Sequence, residues 1–219
     1  MFRLASFHRL VTAGCLALWV VFSVTFMLTL QPLDGPGDTA LAVISAYAFL
    51  GAQAALVIGT IGVAHLLRDR TPVLAPIAAG LTALGGFGHA AFAGISLVQA
   101  AGGEGAAAAV QTVIAGPAGA LAMVSVAGMI LGVVVLAIAL FRAKLGAGWI
   151  GVVLLGWIVV EFALSSLGLW AMLASAFLLF VGYGALAGMV FRSDLRDWMT
   201  AREGELSARP ADERQLAGA

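Results

Sequence analysis

The chain contains 219 residues, of which 62% are hydrophobic and 10% are charged, and its mean hydropathy is +1.07. Because a soluble domain carries roughly a quarter charged residues, this composition excludes an ordinary water-soluble globule and makes lipid the expected solvent. Lys and Arg balance Asp and Glu at 11 each, so the net charge gives no indication of a nucleic-acid partner.

The first apolar segment, residues 10–30, follows Arg3 and Arg9 and so begins like a secretory signal peptide. It is, however, about as long as a membrane span, and no small-x-small cleavage site follows it. We therefore interpret it as a retained membrane helix. It contains the only cysteine, Cys15, and a single thiol cannot form an intrachain disulfide.

Further apolar segments follow in chain order. Each approaches or exceeds the roughly 20 residues that cross the ~30 Å hydrocarbon core of a bilayer. In lipid, every backbone polar group must be paired within its own segment, so these segments are expected to be helices rather than strands. The sequence thus predicts an all-α, polytopic bundle of six transmembrane helices over residues 1–191. The predicted spans are residues 10–30, 40–67, 73–98, 117–141, 148–166 and 169–191.

The predicted connections are short, which leaves no room for a separate soluble domain. They are residues 31–39, 68–72, 99–116 and 142–144. The first is rich in turn-forming residues, the third is a Gly/Ala-rich loop, and the other two are tight charged turns. Only Leu167 and Gly168 separate the fifth and sixth segments, so a re-entrant element there stays an alternative to two full spans.

After Phe191 the chain becomes hydrophilic, and residues 192–219 are expected to form a charged cytoplasmic tail. Its first part can continue the sixth helix, with Trp198 at the lipid headgroups, and the remainder is expected to be disordered. Because both charge signs are mixed evenly, a solvated tail is favoured over a clamp for anionic lipid.

Basic residues indicate the orientation, because short loops that carry Lys and Arg stay on the cytoplasmic side. If the N-terminus is cytoplasmic, every Lys and Arg falls in a cytoplasmic segment, and the opposite loops carry only Asp34, Asp38 and Glu104. The sequence therefore predicts a multi-pass protein of the cell membrane with both termini in the cytoplasm. In overall composition the chain resembles small six-helix bacterial inner-membrane proteins, a likeness that carries neither residues nor a function.

His89 and Glu161 are ionisable residues deep within predicted spans, where a charge costs several kcal/mol and therefore marks a functional candidate. At about 1.5 Å per residue they lie about 24 Å and about 20 Å from the cytoplasmic boundary, so both fall in the outer half of the bilayer. We hypothesise that they pair with each other within a polar layer. Further members, at the same level or on the same helix stripe, are Gln53, Ser125, Ser165 and Ser175.

Two interpretations of this layer stay open: a buried hydrogen bond that fixes helix packing, or a site for a proton or small solute. Gly85, Gly86 and Gly88 remove side-chain bulk beside His89, which suits either a small cavity or a close helix contact. Small-residue pairs at a spacing of four predict close helix crossings elsewhere, although they do not establish dimerisation. These pairs are Gly128 with Gly132 and Gly184 with Gly188.

No phosphate-binding loop, metal-ligand cluster or protease motif occurs in the sequence, so neither a cofactor nor a metal is expected. A haem with two histidine ligands is disfavoured within one chain. The reason is that His65 and His89 are separated by about 20 Å along the membrane normal.

Three functions stay open. The first is binding or translocation of a proton, ion or small solute through the layer that contains His89 and Glu161. The second is an accessory or scaffold subunit that packs through its glycine faces against a second copy or another membrane protein. The third, with the least support from motifs, is an intramembrane enzyme acting on a lipid or quinone. The lipid bilayer is the one partner that all three require.

Overall fold

The computed structural model of the protein describes residues 2–30, 39–145 and 148–199, and the regular structure in this part of the chain is entirely helical. Every α-helix except the fifth is long and apolar enough to cross a membrane, so the prediction of an all-α, membrane-embedded protein is confirmed to this extent. The helices are α1 (Phe2–Leu30), α2 (Thr39–Leu67), α3 (Leu74–Ala115), α4 (Pro117–Ala143), α5 (Gly148–Ala163) and α6 (Leu169–Arg192). Two short 3₁₀ helices, Ser165–Leu167 and Leu195–Trp198, follow α5 and α6.

The helices form a ring in sequence order. Each helix packs mainly against the helices before and after it, and α6 packs against α1 to close the ring. Because lipid is as apolar as a leucine side chain, close packing rather than water exclusion holds such helices together. The fully buried side chains that fill the interior include Leu16, Leu56, Leu136, Leu154 and Leu186.

The outside of the ring is also apolar. Phe87, Met123 and Phe177 are each more than 60% exposed, at 69%, 73% and 65%. A soluble protein rarely exposes apolar side chains in such continuous patches, whereas lipid solvates them well. The surface therefore agrees with the length and composition of the helices.

Helix α3 is much longer than the sequence predicted. The predicted loop at 99–116 is wrong, because α3 continues to Ala115 and a single residue, Gly116, separates it from α4. Alanine has the highest helix propensity, and the alanine-rich composition here outweighs the scattered glycines. Pro117 then starts α4 at the first helical position, where its missing N–H is no loss.

Helix α5 is shorter than its predicted span. It ends at Ala163, so its 16 residues extend about 24 Å, less than the ~30 Å hydrocarbon core. The chain then passes through a 3₁₀ helix and reverses at Gly168, whose φ of 59° lies in the region that favours glycine. Leu167 and Trp170 at this apex are 58% and 77% exposed, so the α5–α6 hairpin ends in an apolar tip.

Charged side chains gather at one end of the ring, which we call the basic end. Arg9 at the start of α1 donates to the carbonyl of Ser193 after α6 at 3.0 Å. Arg70, after α2, donates to the carbonyl of Ala143 at the end of α4 at 3.4 Å. The first bond joins the two ends of the described chain, and the second joins the turn after α2 to the end of α4. The basic side chains here are Arg9, Arg68, Arg70, Arg142, Lys144, Arg192 and Arg196.

The segment that follows α6, residues 193–199, folds back onto the basic end, and we call it the terminal segment. Helix α6 ends at Arg192, so the expected continuation of this helix is wrong, and Trp198, which is only 2% exposed, is covered by the protein itself. The reversal is local: Asp194 accepts a hydrogen bond from the Arg196 backbone N–H at 2.9 Å, and the Trp198 indole donates to Ser193 Oγ at 2.7 Å. The predicted disorder of the later tail lies outside the described residues, as does the predicted loop at 31–39 apart from Thr39, which begins α2.

Glycines allow close helix contacts on several helices, and those whose Cβ would meet the backbone of a neighbouring helix within 3.0 Å lie on α3 and α4. A Cβ added at Gly85 would lie 2.6 Å from the backbone nitrogen of Met129, and one at Gly132 would lie 2.8 Å from the backbone nitrogen of Thr82. A Cβ at Gly184 or Gly188 would meet nothing within 4 Å. The close helix crossing expected at Gly184 and Gly188 is therefore not present within the described chain, because this face of α6 points outward.

Candidate functional site

Glu161 ends a chain of hydrogen bonds between α5 and α6. The Trp157 indole N–H donates to Ser175 Oγ at 3.0 Å, and Ser175 Oγ donates in turn to Glu161 Oε2. Trp157 and Glu161 are four residues apart and so share one face of α5, while Ser175 lies on α6 and is 1% exposed. We call these three residues the carboxylate cluster.

Three aromatic rings connect this cluster to the centre of the bundle. Trp19 of α1 packs against Tyr183 of α6 with ring centroids 3.9 Å apart, and Trp157 contacts both rings at 5.7 and 6.1 Å. Trp19 Nε1 and the Tyr183 hydroxyl are buried and have no hydrogen-bond partner in the described part of the chain. Such an unpaired group costs about 1–3 kcal/mol, which makes this interior unusual for a purely structural core.

His89 makes a separate contact within α3. Its Nδ1 lies 2.8 Å from the carbonyl oxygen of Gly85. A carbonyl only accepts, so Nδ1 carries a proton in this contact. The ring is half-buried and packs edge-on against Phe49 with centroids 5.9 Å apart.

Gln53 and Ser125 lie beside the glycines next to His89. Ser125 Oγ donates to the Leu121 carbonyl of its own helix at 2.7 Å and occupies the space where a Cβ of Gly88 would project. Gln53 is 5% exposed, and its Oε1 is buried without a partner among the described residues. We call Gln53, His89 and Ser125 the histidine cluster.

The predicted single layer is thus divided into two clusters. Helix α3 packs against α2 and α4, whereas α5 packs against α4 and α6. Within the described ranges the one ion pair joins Arg68 to Asp69, at 3.6 Å, so the expected pairing of His89 with Glu161 is wrong. The order of the helices around the ring, which depth does not determine, places the two residues on helices that are not neighbours. The side chain of Ser165 lies outside the described part.

Across residues 2–30, 39–145 and 148–199, no group of three or more His, Cys, Asp and Glu side chains could hold a metal ion. His65 lies at the basic end, where its ring contacts that of His8 with centroids 6.1 Å apart. His89 lies on a different helix near the carbonyl of Gly85.

The basic end holds a polar cluster that sequence reasoning missed. Arg68 Nη1 lies 2.7 Å from His65 Nε2, and Arg68 also donates to the Met199 carbonyl of the terminal segment. His8 and Trp198 border the same region. His8 escaped notice because the first span was expected to begin at residue 10. The contact between chain ends depends on closure of the ring, which leaves no local pattern in the sequence.

Comparison with known protein families, with curated proteins and with solved structures finds no match to this chain. The chemistry of the site is therefore argued from its geometry.

Proposed function

We propose that the protein is a six-span protein of the cell membrane, with both termini in the cytoplasm, that binds and transfers a proton at Glu161. The orientation is supported by the gathering of Arg and Lys at the basic end, because such residues remain in the cytoplasm when a protein is inserted. The short α5 would complete a sixth span if the bilayer thins locally around its apolar tip.

The observation that carries the proposal is the hydrogen-bonded carboxylate of Glu161 next to an aromatic interior. A carboxyl group in lipid is expensive to ionise unless donors stabilise the charged form. Ser175 supplies one such donor, and the unpaired Trp19 N–H and Tyr183 O–H lie one ring away. Within the described residues Glu161 has no cationic partner, which suits a relay rather than a permanent ion pair.

The size of the site favours a proton over a larger solute. The rings of Trp19 and Tyr183 are in direct contact, and Tyr183 is completely buried. Packed rings exclude a drug-sized or sugar-sized molecule from this position. A proton, by contrast, needs only hydrogen-bond partners along its route.

Purified protein in liposomes that contain a pH-sensitive dye tests the proposal. Under an imposed pH gradient the wild-type chain is expected to carry protons, and Glu161→Gln is expected to reduce the flux to that of empty vesicles. Ser175→Ala should lower the flux roughly tenfold, since it removes a hydrogen bond to a charged group. Ser125→Ala is the matched control, because that buried serine bonds only within its own helix.

Two outcomes would contradict the assignment. Wild-type vesicles without flux would exclude proton transfer. Loss of flux in His89→Ala with normal flux in Glu161→Gln would move the relay to the histidine cluster. Thermal unfolding of each variant, measured in parallel, separates loss of transfer from loss of fold.

A scaffold function is the second candidate, and the outward stripe of α6 favours it. Gly184 and Gly188 present open space on an exposed face, and this spacing permits close approach of another membrane helix. Under this alternative the protein purifies as an oligomer, and Gly184→Leu converts it to a monomer while proton flux is absent throughout.

A further inference from the structure

A cavity of about 250 Å³ lies at the basic end, between α1 and α2. One wall is apolar and continues onto the outer surface of the ring, since Ile58 and Ile61 are 48% and 52% exposed. The rest of the lining is mostly apolar too, but it includes the imidazoles of His8 and His65 and the indole of the terminal-segment residue Trp198. The cavity therefore has a polar end near the charged side chains and an apolar side that faces the surrounding lipid.

The protonation of His65 follows from its neighbour. The Arg68 guanidinium can only donate hydrogen bonds, so His65 Nε2, at 2.7 Å from Arg68 Nη1, must accept. The proton of the neutral ring is then on Nδ1, which has no hydrogen-bond partner within the described residues. The Trp198 carbonyl, 3.2 Å from Nε2, faces a lone pair and gains no hydrogen bond from it.

His8 provides the second polar group. Its ring packs against the His65 ring, and its nitrogens make no hydrogen bond in the part of the chain that the structure describes. Two imidazoles with free N–H groups thus border one cavity, and the Arg68 guanidinium lies next to one of them, His65. Such a wall favours an anion that only accepts hydrogen bonds.

We propose that this cavity binds an anionic phospholipid of the surrounding bilayer. The phosphate accepts hydrogen bonds from His8 and His65, and one acyl chain lies against Ile58 and Ile61. Charge complementarity at the basic end supports this occupant, because basic pockets between membrane helices bind anionic headgroups. The apolar wall supports a lipid over a free anion. The proposal is independent of proton transfer at Glu161.

Native mass spectrometry of the full chain in mild detergent tests this site. Phosphatidylglycerol is expected to remain bound, whereas phosphatidylcholine with the same acyl chains is lost at lower collision energy. His8→Ala should weaken phosphatidylglycerol binding roughly tenfold, as expected for one hydrogen bond to a charged group. Ile61→Trp should weaken binding by filling the apolar side. Neither change removes a hydrogen bond within the described protein, so both variants are expected to fold.

Arg142→Ala is the matched control, because it removes a cation from the same end of the ring without touching the cavity. It is expected to leave phosphatidylglycerol binding unchanged. Equal weakening in His8→Ala and Arg142→Ala would indicate general attraction to the basic end and would overturn the proposal. Displacement of the lipid by inorganic phosphate would identify a site for free anion instead. Equal retention of both lipids would overturn the role of charge.

Discussion

Gly85 and Gly128 bring α3 and α4 together backbone to backbone. A Cβ at Gly128 would lie 3.0 Å from the Gly85 nitrogen, and a Cβ at Gly85 would lie 2.6 Å from the Met129 nitrogen. These neighbours are main-chain atoms, which cannot move aside by changing rotamer. A methyl group at either position must therefore push the two helices apart.

We expect Gly85→Ala to destabilise the protein by about 1–3 kcal/mol, the usual penalty for overpacking. Gly184→Ala is the matched control in the same protein. Its Cβ enters open space, and alanine has the higher helix propensity, so its stability should be unchanged or slightly higher. Thermal unfolding in detergent measures both. An equal loss of stability in the two variants would contradict the assigned contacts.

Counting residues along a helix predicts the height of a residue in the membrane, and this count selected His89 and Glu161 as the deep ionisable side chains to examine. It gives neither the neighbours of a helix nor its rotation, and the mutual pairing was predicted wrongly because α3 and α5 are not neighbours in the ring. The same limit affected glycine: Gly128 with Gly132 and Gly184 with Gly188 have identical spacing, yet only the first pair faces a neighbouring helix.

Side chains from α1 and from the end of α2 hold the terminal segment in place. Arg9 donates to the Ser193 carbonyl, Arg68 donates to the Met199 carbonyl, and the Trp198 ring packs on that of His65 with centroids 5.8 Å apart. Both cations bind main-chain oxygens, so the attachment depends little on the side chains of the segment apart from Trp198.

Arg68→Ala should release the terminal segment. We expect amide hydrogen exchange to accelerate over residues 193–199, with a loss of about 1–3 kcal/mol in stability from the unpaired carbonyl and the lost contacts. Arg196→Ala is the control, since its side chain is exposed and only its backbone N–H bonds within the segment. Unchanged exchange in Arg68→Ala would show that other contacts hold the segment.

Helices could be predicted from the sequence better than the connections between them. Long apolar segments with few charges predicted the helices, because lipid forces the backbone to pair its polar groups within each segment. The extension of α3 through 99–115 was missed because glycine was taken as a loop signal, whereas alanine-rich sequence sustains a helix. The fold-back of Trp198 was missed because its ring packs on His65 of α2, which is far from it in the sequence.

The whole molecule carries its described Lys and Arg residues at one end of the ring, and the proposed orientation can be tested there. In a Cys15→Ala background, single cysteines at Asp69 and Lys144 should react with an impermeant maleimide only after cells are permeabilised. A cysteine at Gly116 should react in intact cells. These outcomes follow if basic turns remain cytoplasmic.

A cysteine at Leu167 tests the sixth span in the same assay. The α5–α6 tip is exposed in the structure, so labelling of intact cells would support a hairpin that reaches the outer surface. Labelling only after permeabilisation would contradict two full spans. Labelling of Asp69 and Lys144 from opposite sides of the membrane would mean that an odd number of spans separates the two turns. That result would contradict the proposed topology.

Because neighbours in the sequence are also neighbours in the ring, the helices can assemble in the order in which they are synthesised. Each of α2 to α5 meets its partners as soon as its sequence neighbours have left the ribosome, so hairpins can associate one after another during insertion. Helix α1 is the exception, because one flank waits for α6. Until the last span arrives, the Trp19 face is open to lipid or to a chaperone. A chain stopped before Leu169 is therefore expected to be recognised as incomplete and degraded.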